Sequence, residues 1–312
     1  MVRLLYVAIA VFLIGACPSG AVQARADQSD SYLHSIHGAI VEFTDKLNSQ
    51  LLTLLPEEER SILRSVSLRV DEHPWVAVMP HAQLNNRGSP EIWLSVGQFR
   101  MMMATMEAMQ ISHLPNRAGF FERYMRAAVA SIREVKPDEL PSNQPAPTLW
   151  PSDAAGIKSG TPEFATLNTA DADSLRWQGC LQGIAFLYLH EVAHHIHHDT
   201  RSRPKNNADS RFRESRADSW AIEHMLELDF LPTGAVVPLL IYFFADENAH
   251  QHEYDRTHPA EIWRIEAAVR AAEEHLPRFY DRIRSRGMDP DQIDAELRGM
   301  LEGIKQLTSE PS

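Results

Sequence analysis

Cysteine is nearly absent: the 312 residues contain only Cys17 and Cys180. Cys17 sits in a leader-like N-terminus, so its removal or lipidation leaves a single thiol and excludes an intrachain disulfide framework. Cys180 lies on the apolar side of a helical pattern and reads as a buried thiol. Basic residues are also scarce, with 30 Lys and Arg against 42 Asp and Glu, a net charge of −12. Residues 1–26 hold Arg3 and Arg25 and no acid, so without them 28 basic residues face 42 acidic ones, giving −14. No basic stretch rivals that acidic total, which argues against a nucleic-acid partner. No run is apolar for the length of a membrane span either; the N-terminal run Leu4 to Ala16 has thirteen residues. Internal repeats are missing, which excludes a solenoid.

The N-terminus reads as an export signal rather than as part of the fold. Met1-Val-Arg3 supplies a basic start before the apolar run. Two endings are open. Ala24-Arg-Ala26 before Asp27 is an A-x-A cleavage pattern, and Ile14-Gly-Ala-Cys17 resembles a bacterial lipoprotein box in which Cys17 would carry lipid. Both send the chain across the inner membrane, to the periplasm or beyond, and a lipid at Cys17 would be its membrane contact. Residues 27–312 are long enough for one large core and are read as a single domain.

Along that domain the apolar spacing predicts mostly helix. Ile36, Ile40, Phe43, Leu47, Leu51 and Leu54 recur at helical intervals up to Pro56. Residues 66–70, 75–79 and 91–96 alternate as strands do. The Met-rich segment 98–113 reads as adaptable core, and 117–135 as a further helix. From 137 to 172 the chain is rich in Pro, Ser, Thr, Asp and Gly, and predicts a flexible surface insert near the cleft. A long helix follows over 172–198, capped by Asp171 or Asp173 and seated by Trp177, Leu181, Ile184 and Tyr188. Further helices are expected over 209–228, 236–244, 259–276 and 289–307.

The long helix carries His190-Glu191-Val-Ala-His194, the pattern HExxH. Positions i and i+4 differ by about 40° around a helix, so both imidazoles face one point. Two His and one carboxylate are a common catalytic zinc set with one position left open, and Glu191 stands where a carboxylate can take a proton from water. Twenty residues after His194 comes Glu214, in Glu214-Ser-Arg-Ala-Asp218, with the polar, Pro204-broken segment from Asp199 between. A helix hairpin folded there puts Glu214 level with His194, as third ligand, and Asp218 level with His190, as partner of its non-ligating nitrogen. His195, His197 and His198 read as solvent-facing residues near a helix C-terminus.

These motifs resemble the gluzincin zinc metallopeptidases, and HEVAHHIHHD with ESRAD is most similar to the M48 peptidases, whose helices carry HExxHxxxxD and a later ExxAD. Thr257-His258-Pro259 with Arg264 resembles a third segment of that family, in which the His faces the substrate oxyanion. Arg264 either orients the site or pairs with Glu261. Asn85 to Gly97 resembles the strand that pairs with an extended substrate, which puts Ile92, Trp93, Leu94 and Ser95 on a substrate-binding edge. The resemblance implies an α+β, mainly helical zincin-like domain with a small sheet whose edge strand borders the active-site helix. It also implies one Zn2+ per chain, a protein or peptide substrate, and catalysis by Glu191 and His258.

If the lipoprotein box is used, Cys17→Ser should move the protein from the membrane fraction to the soluble periplasmic fraction on cell fractionation. A mature chain beginning at Asp27 by mass spectrometry would instead establish ordinary secretion.

Overall fold

The computed structural model describes residues 30–73, 80–133, 150–245, 261–285 and 289–309. In chain order the helices are α1 (Asp30–Leu54), α2 (Glu57–Ser65), α3 (Val96–Ser112), α4 (Phe120–Arg133), α5 (Pro151–Ala154) and α6 (Pro162–Leu167). They continue with α7 (Ala170–Ile196), α8 (Asn207–Glu227), α9 (Val236–Ala245), α10 (Glu261–His275), α11 (Tyr280–Ser285) and α12 (Pro290–Ser309). Three strands, β1 (Ser67–Asp71), β2 (His81–Leu84) and β3 (Pro90–Ser95), form one small sheet. The domain is therefore α+β and mainly helical. No helix among the described residues is long and apolar enough to cross a membrane.

The core is built on α3 and α7. From Val96 to Ile111 every residue of α3 is buried, the five methionines 101, 102, 103, 106 and 109 included. A helix buried on all sides needs apolar residues all round, and unbranched Met fills uneven gaps between several neighbours. Against α3 pack α4, α7 and α9. Among the polar groups that α3 buries, Glu107 accepts from Trp150 Nε1 (2.8 Å) and from the Ser152 amide (3.2 Å).

Those two contacts correct the expectation of an unstructured insert. Residues 150–172 hold α5, α6 and the start of α7, and they are fastened to the core. Arg117 Nη1 donates to the Ala155 carbonyl (2.8 Å), and fully buried Arg176 donates to the Leu167 carbonyl (2.9 Å). The prolines misled because Pro151 and Pro162 each open a helix, where a missing N–H costs nothing. The remainder of that stretch, 137–149, lies outside the described residues, as does the expected strand 75–79. The cap of α7 is Thr169, whose side chain accepts from the Ala172 amide, and Asp173 instead pairs with Arg176 (3.1 Å).

Strand order is β1-β3-β2, with β1 parallel and β2 antiparallel to β3. This corrects the assignment of Ile92, Trp93, Leu94 and Ser95 to a free edge. They lie on β3, the central strand, which pairs with β1 over Glu91 to Ser95 and with β2 over Pro90 to Trp93. The reason is the tight hairpin at Asn85, whose side chain accepts from the amides of Arg87 (2.9 Å) and Ser89 (3.1 Å), with Gly88 at φ +76°. That turn folds β2 back along β3. Ile92 and Leu94 point into the core, both fully buried, and among the described residues the outer strand beside α7 is β2.

At one point two backbones meet. A Cβ on Gly234, in the turn Pro232–Ala235, would stand 2.6 Å from Gln182 Cβ and 3.0 Å from its backbone carbon and oxygen on α7. Gly234→Ala should therefore destabilise the fold by about 1–3 kcal/mol, a fall in Tm of about 2–10 °C by circular dichroism. An unchanged Tm would mean that the turn slides freely over α7.

Candidate metal centre

Helix α7 ends because the chain reverses. His198 takes a left-handed conformation at φ +62°, and the turn Asp199–Arg201 follows. Asn206 then starts α8, its side chain accepting from the Asp209 amide, while Asp209 Oδ2 accepts from the Lys205 amide (2.9 Å). The two helices pack closely against each other.

That pairing brings His190, His194 and Glu214 together, with one ligand atom from each lying within 4.8 Å of the others. The two imidazole Nε2 atoms are 3.2 Å apart. Glu214 places Oε2 3.2 Å from His190 Nε2 and Oε1 3.5 Å from His194 Nε2. All three side chains are nearly buried, at 7, 12 and 15% exposure. Glu191 is buried beside them and lines the same cleft.

Behind each imidazole stands an aspartate backed by an arginine. His190 Nδ1 lies 2.9 Å from Asp218 Oδ1, and Arg264 grips Asp218 with two bonds, from Nε (2.7 Å) and Nη2 (2.8 Å). His194 Nδ1 lies 3.2 Å from Asp199 Oδ2, and Arg216 Nη2 donates to Asp199 Oδ1 (2.7 Å). Arg264 thus reaches Asp218, and Glu261 also stands within its electrostatic reach. Asp199 was given no role by the spacing argument, because it lies beyond the end of the helix and reaches His194 only through the left-handed turn at His198. The one signal for it was its place in HExxHxxxxD.

The electrostatics of this cluster ask for positive charge. Burial alone would raise the Asp218 carboxyl, but Arg264 and His190 outweigh it and hold it well below the usual carboxylate range. His194 and Arg216 do the same for Asp199 against its own burial. Burial would lower His190, yet Asp218 and Glu214 push it up to about 10. The two inward-facing nitrogens and the Glu214 carboxylate form a set that a divalent cation would satisfy. Two imidazoles, one carboxylate and a fixed outer pair fit zinc in donor type.

His195 corrects another expectation. It is buried at 3% exposure, not solvent-facing; Nε2 lies 3.1 Å from the Glu91 carbonyl and Nδ1 3.3 Å from Thr200 Oγ1. Burial lowers its pKa, so the neutral ring donates from Nε2 to β3 and ties the sheet to α7. His258 lies outside the described residues.

The cleft measures about 270 Å³. Its wall includes Pro80, His81 and Ala82 at β2, Leu187 on α7, Arg213 on α8 and Tyr242 on α9. Neither Tyr242 nor His81 could be found from the sequence, since each stands alone in its segment and only packing brings it to the cleft.

Asp199→Asn should weaken the affinity for zinc about 10- to 100-fold, measured by competition with a chromophoric chelator, while the fold is kept. An unchanged affinity would mean that Asp199 serves only the turn.

A model of the family described as Peptidase U49 matches residues 101–276, more than half of the chain and all of the cluster from His190 to Arg264. No curated protein and no solved structure matches.

Proposed function

We propose that this chain, which belongs to the peptidase U49 family, is a zinc-dependent endopeptidase acting on exported proteins or peptides. The observation that carries the reading is the convergence of His190, His194 and Glu214 within 4.8 Å, with Glu191 beside them in one cleft. The likeness of HExxH and ExxxD to the M48 gluzincins supports the finer assignment. A purely metal-storing site needs no buried carboxylate at the position of Glu191.

His190, His194 and Glu214 would hold the ion, and Asp218 and Asp199 would fix the orientation of the two rings. When bound, zinc supplies Lewis acidity toward the scissile carbonyl and a water. Glu191 takes a proton from the water as its oxygen attacks the carbonyl carbon. It returns that proton to the amide nitrogen as the C–N bond breaks, leaving a carboxylic acid and an amine. β2, the outer strand of the sheet among the described residues, has its edge at the cleft through His81 and Ala82. An extended peptide laid along that edge would gain backbone hydrogen bonds and bring one bond to Glu191. The export pattern at the N-terminus puts the substrates outside the cytoplasm.

Two variants test this reading. His194→Ala should lose zinc by elemental analysis; wild-type stoichiometry there would remove His194 from the ligand set. Glu191→Gln should keep zinc and fold yet lose peptide cleavage by several orders of magnitude, because an amide accepts no proton from water. Unchanged turnover of a peptide library would move the chemistry elsewhere.

A further inference from the structure

Helix α9 is apolar throughout except for Tyr242. A phenylalanine would seat this helix equally well, so the hydroxyl calls for its own account. The side chain is 9% exposed and lines the cleft that holds His190, Glu191, His194 and Glu214. Its oxygen accepts a hydrogen bond from Gln98 Nε2, near the start of α3. Gln98 is buried, and its backbone amide donates to Ser95 Oγ (3.0 Å). The phenol oxygen is thus held by a donor, and among the described residues its own proton has no acceptor.

The hydroxyl stands within electrostatic reach of the Glu191 carboxylate and the Arg264 guanidinium, which line the same cleft. Arg264 donates twice to Asp218, from Nε and Nη2. Burial pushes the phenol above its ordinary value, which keeps it a donor.

We propose that Tyr242 is a further catalytic residue, whose hydroxyl donates a hydrogen bond to the scissile carbonyl oxygen as that oxygen gains negative charge. The proposal rests on the peptidase reading above. The proton stays on the phenol, and no bond to Tyr242 forms or breaks. A donor aimed in advance at developing charge stabilises the transition state more than the bound substrate. Tyr242 supplies that donor from a described helix, independently of the role implied for His258 by resemblance.

The test compares zinc-loaded wild type and Tyr242→Phe on one fluorogenic peptide, with zinc content and Tm measured on both. The variant should lose about a hundred- to thousandfold in kcat with KM, zinc and Tm nearly unchanged. A phosphinic peptide that mimics the tetrahedral carbon should bind the variant more weakly by a similar factor in calorimetry. Equal kcat and equal phosphinic affinity overturn the proposal, and so does a variant whose only defect is lost zinc or a raised KM. If Tyr242→Phe does not fold, Gln98→Leu decides: releasing the phenol should lower kcat at constant KM, and an unchanged kcat is fatal. A zinc-loaded wild type that cleaves nothing overturns the parent reading and this proposal together. An active wild type matched by an equally active Tyr242→Phe overturns the proposal alone.

Discussion

The antiparallel pairing of α7 with α8 is the constraint on which the rest of this molecule depends. It forces two imidazoles and a carboxylate into a nearly water-free space, and such a cluster is tolerable only if its charges are matched. The match comes from two chains of the same make. Arg264 holds Asp218 against His190, and Arg216 holds Asp199 against His194. Each chain joins elements distant in sequence, the first tying α7, α8 and α10 together and the second closing the turn between α7 and α8. The site and the fold are therefore stabilised by the same contacts.

Around this pair the molecule is arranged to hold α7 still. The all-round burial of α3 gives α7 a solid floor, and Gly234 lets the Pro232–Ala235 turn lie directly on its backbone. His195 ties α7 to β3, which fixes the sheet beside the cleft. A peptide bound along β2 would then meet a wall whose distance from Glu191 is set by one buried hydrogen bond. Such rigidity suits hydrolysis, where small misplacements of the reacting groups cost much of the rate.

Membership of a peptidase family and a buried group able to take a metal ion are two independent supports for one conclusion. The family match begins inside α3 and ends at the start of the turn after α10, so it leaves out the sheet. The part of the molecule that would read the substrate is thus the part about which the family match says least.

Much of the site's geometry was legible in the sequence because helix periodicity is local. The spacing of His190 and His194, and the equal heights of Glu214 and Asp218 in a hairpin about Pro204, follow from 3.6 residues per turn. The mainly helical core and its Met-rich centre followed from apolar spacing in the same way. What the tertiary structure decided is what depends on pairing. Strand order cannot be read from alternation, because a central and an edge strand of a small sheet alternate alike, so the edge fell to β2 and not to Ile92–Ser95. Asp199, His195 and Tyr242 reach their partners by a left-handed turn, by the packing of a sheet on a helix, and by the packing of α9 on α3. The first is a backbone conformation that a His rarely adopts, and the other two are long-range contacts with no periodic trace in the chain.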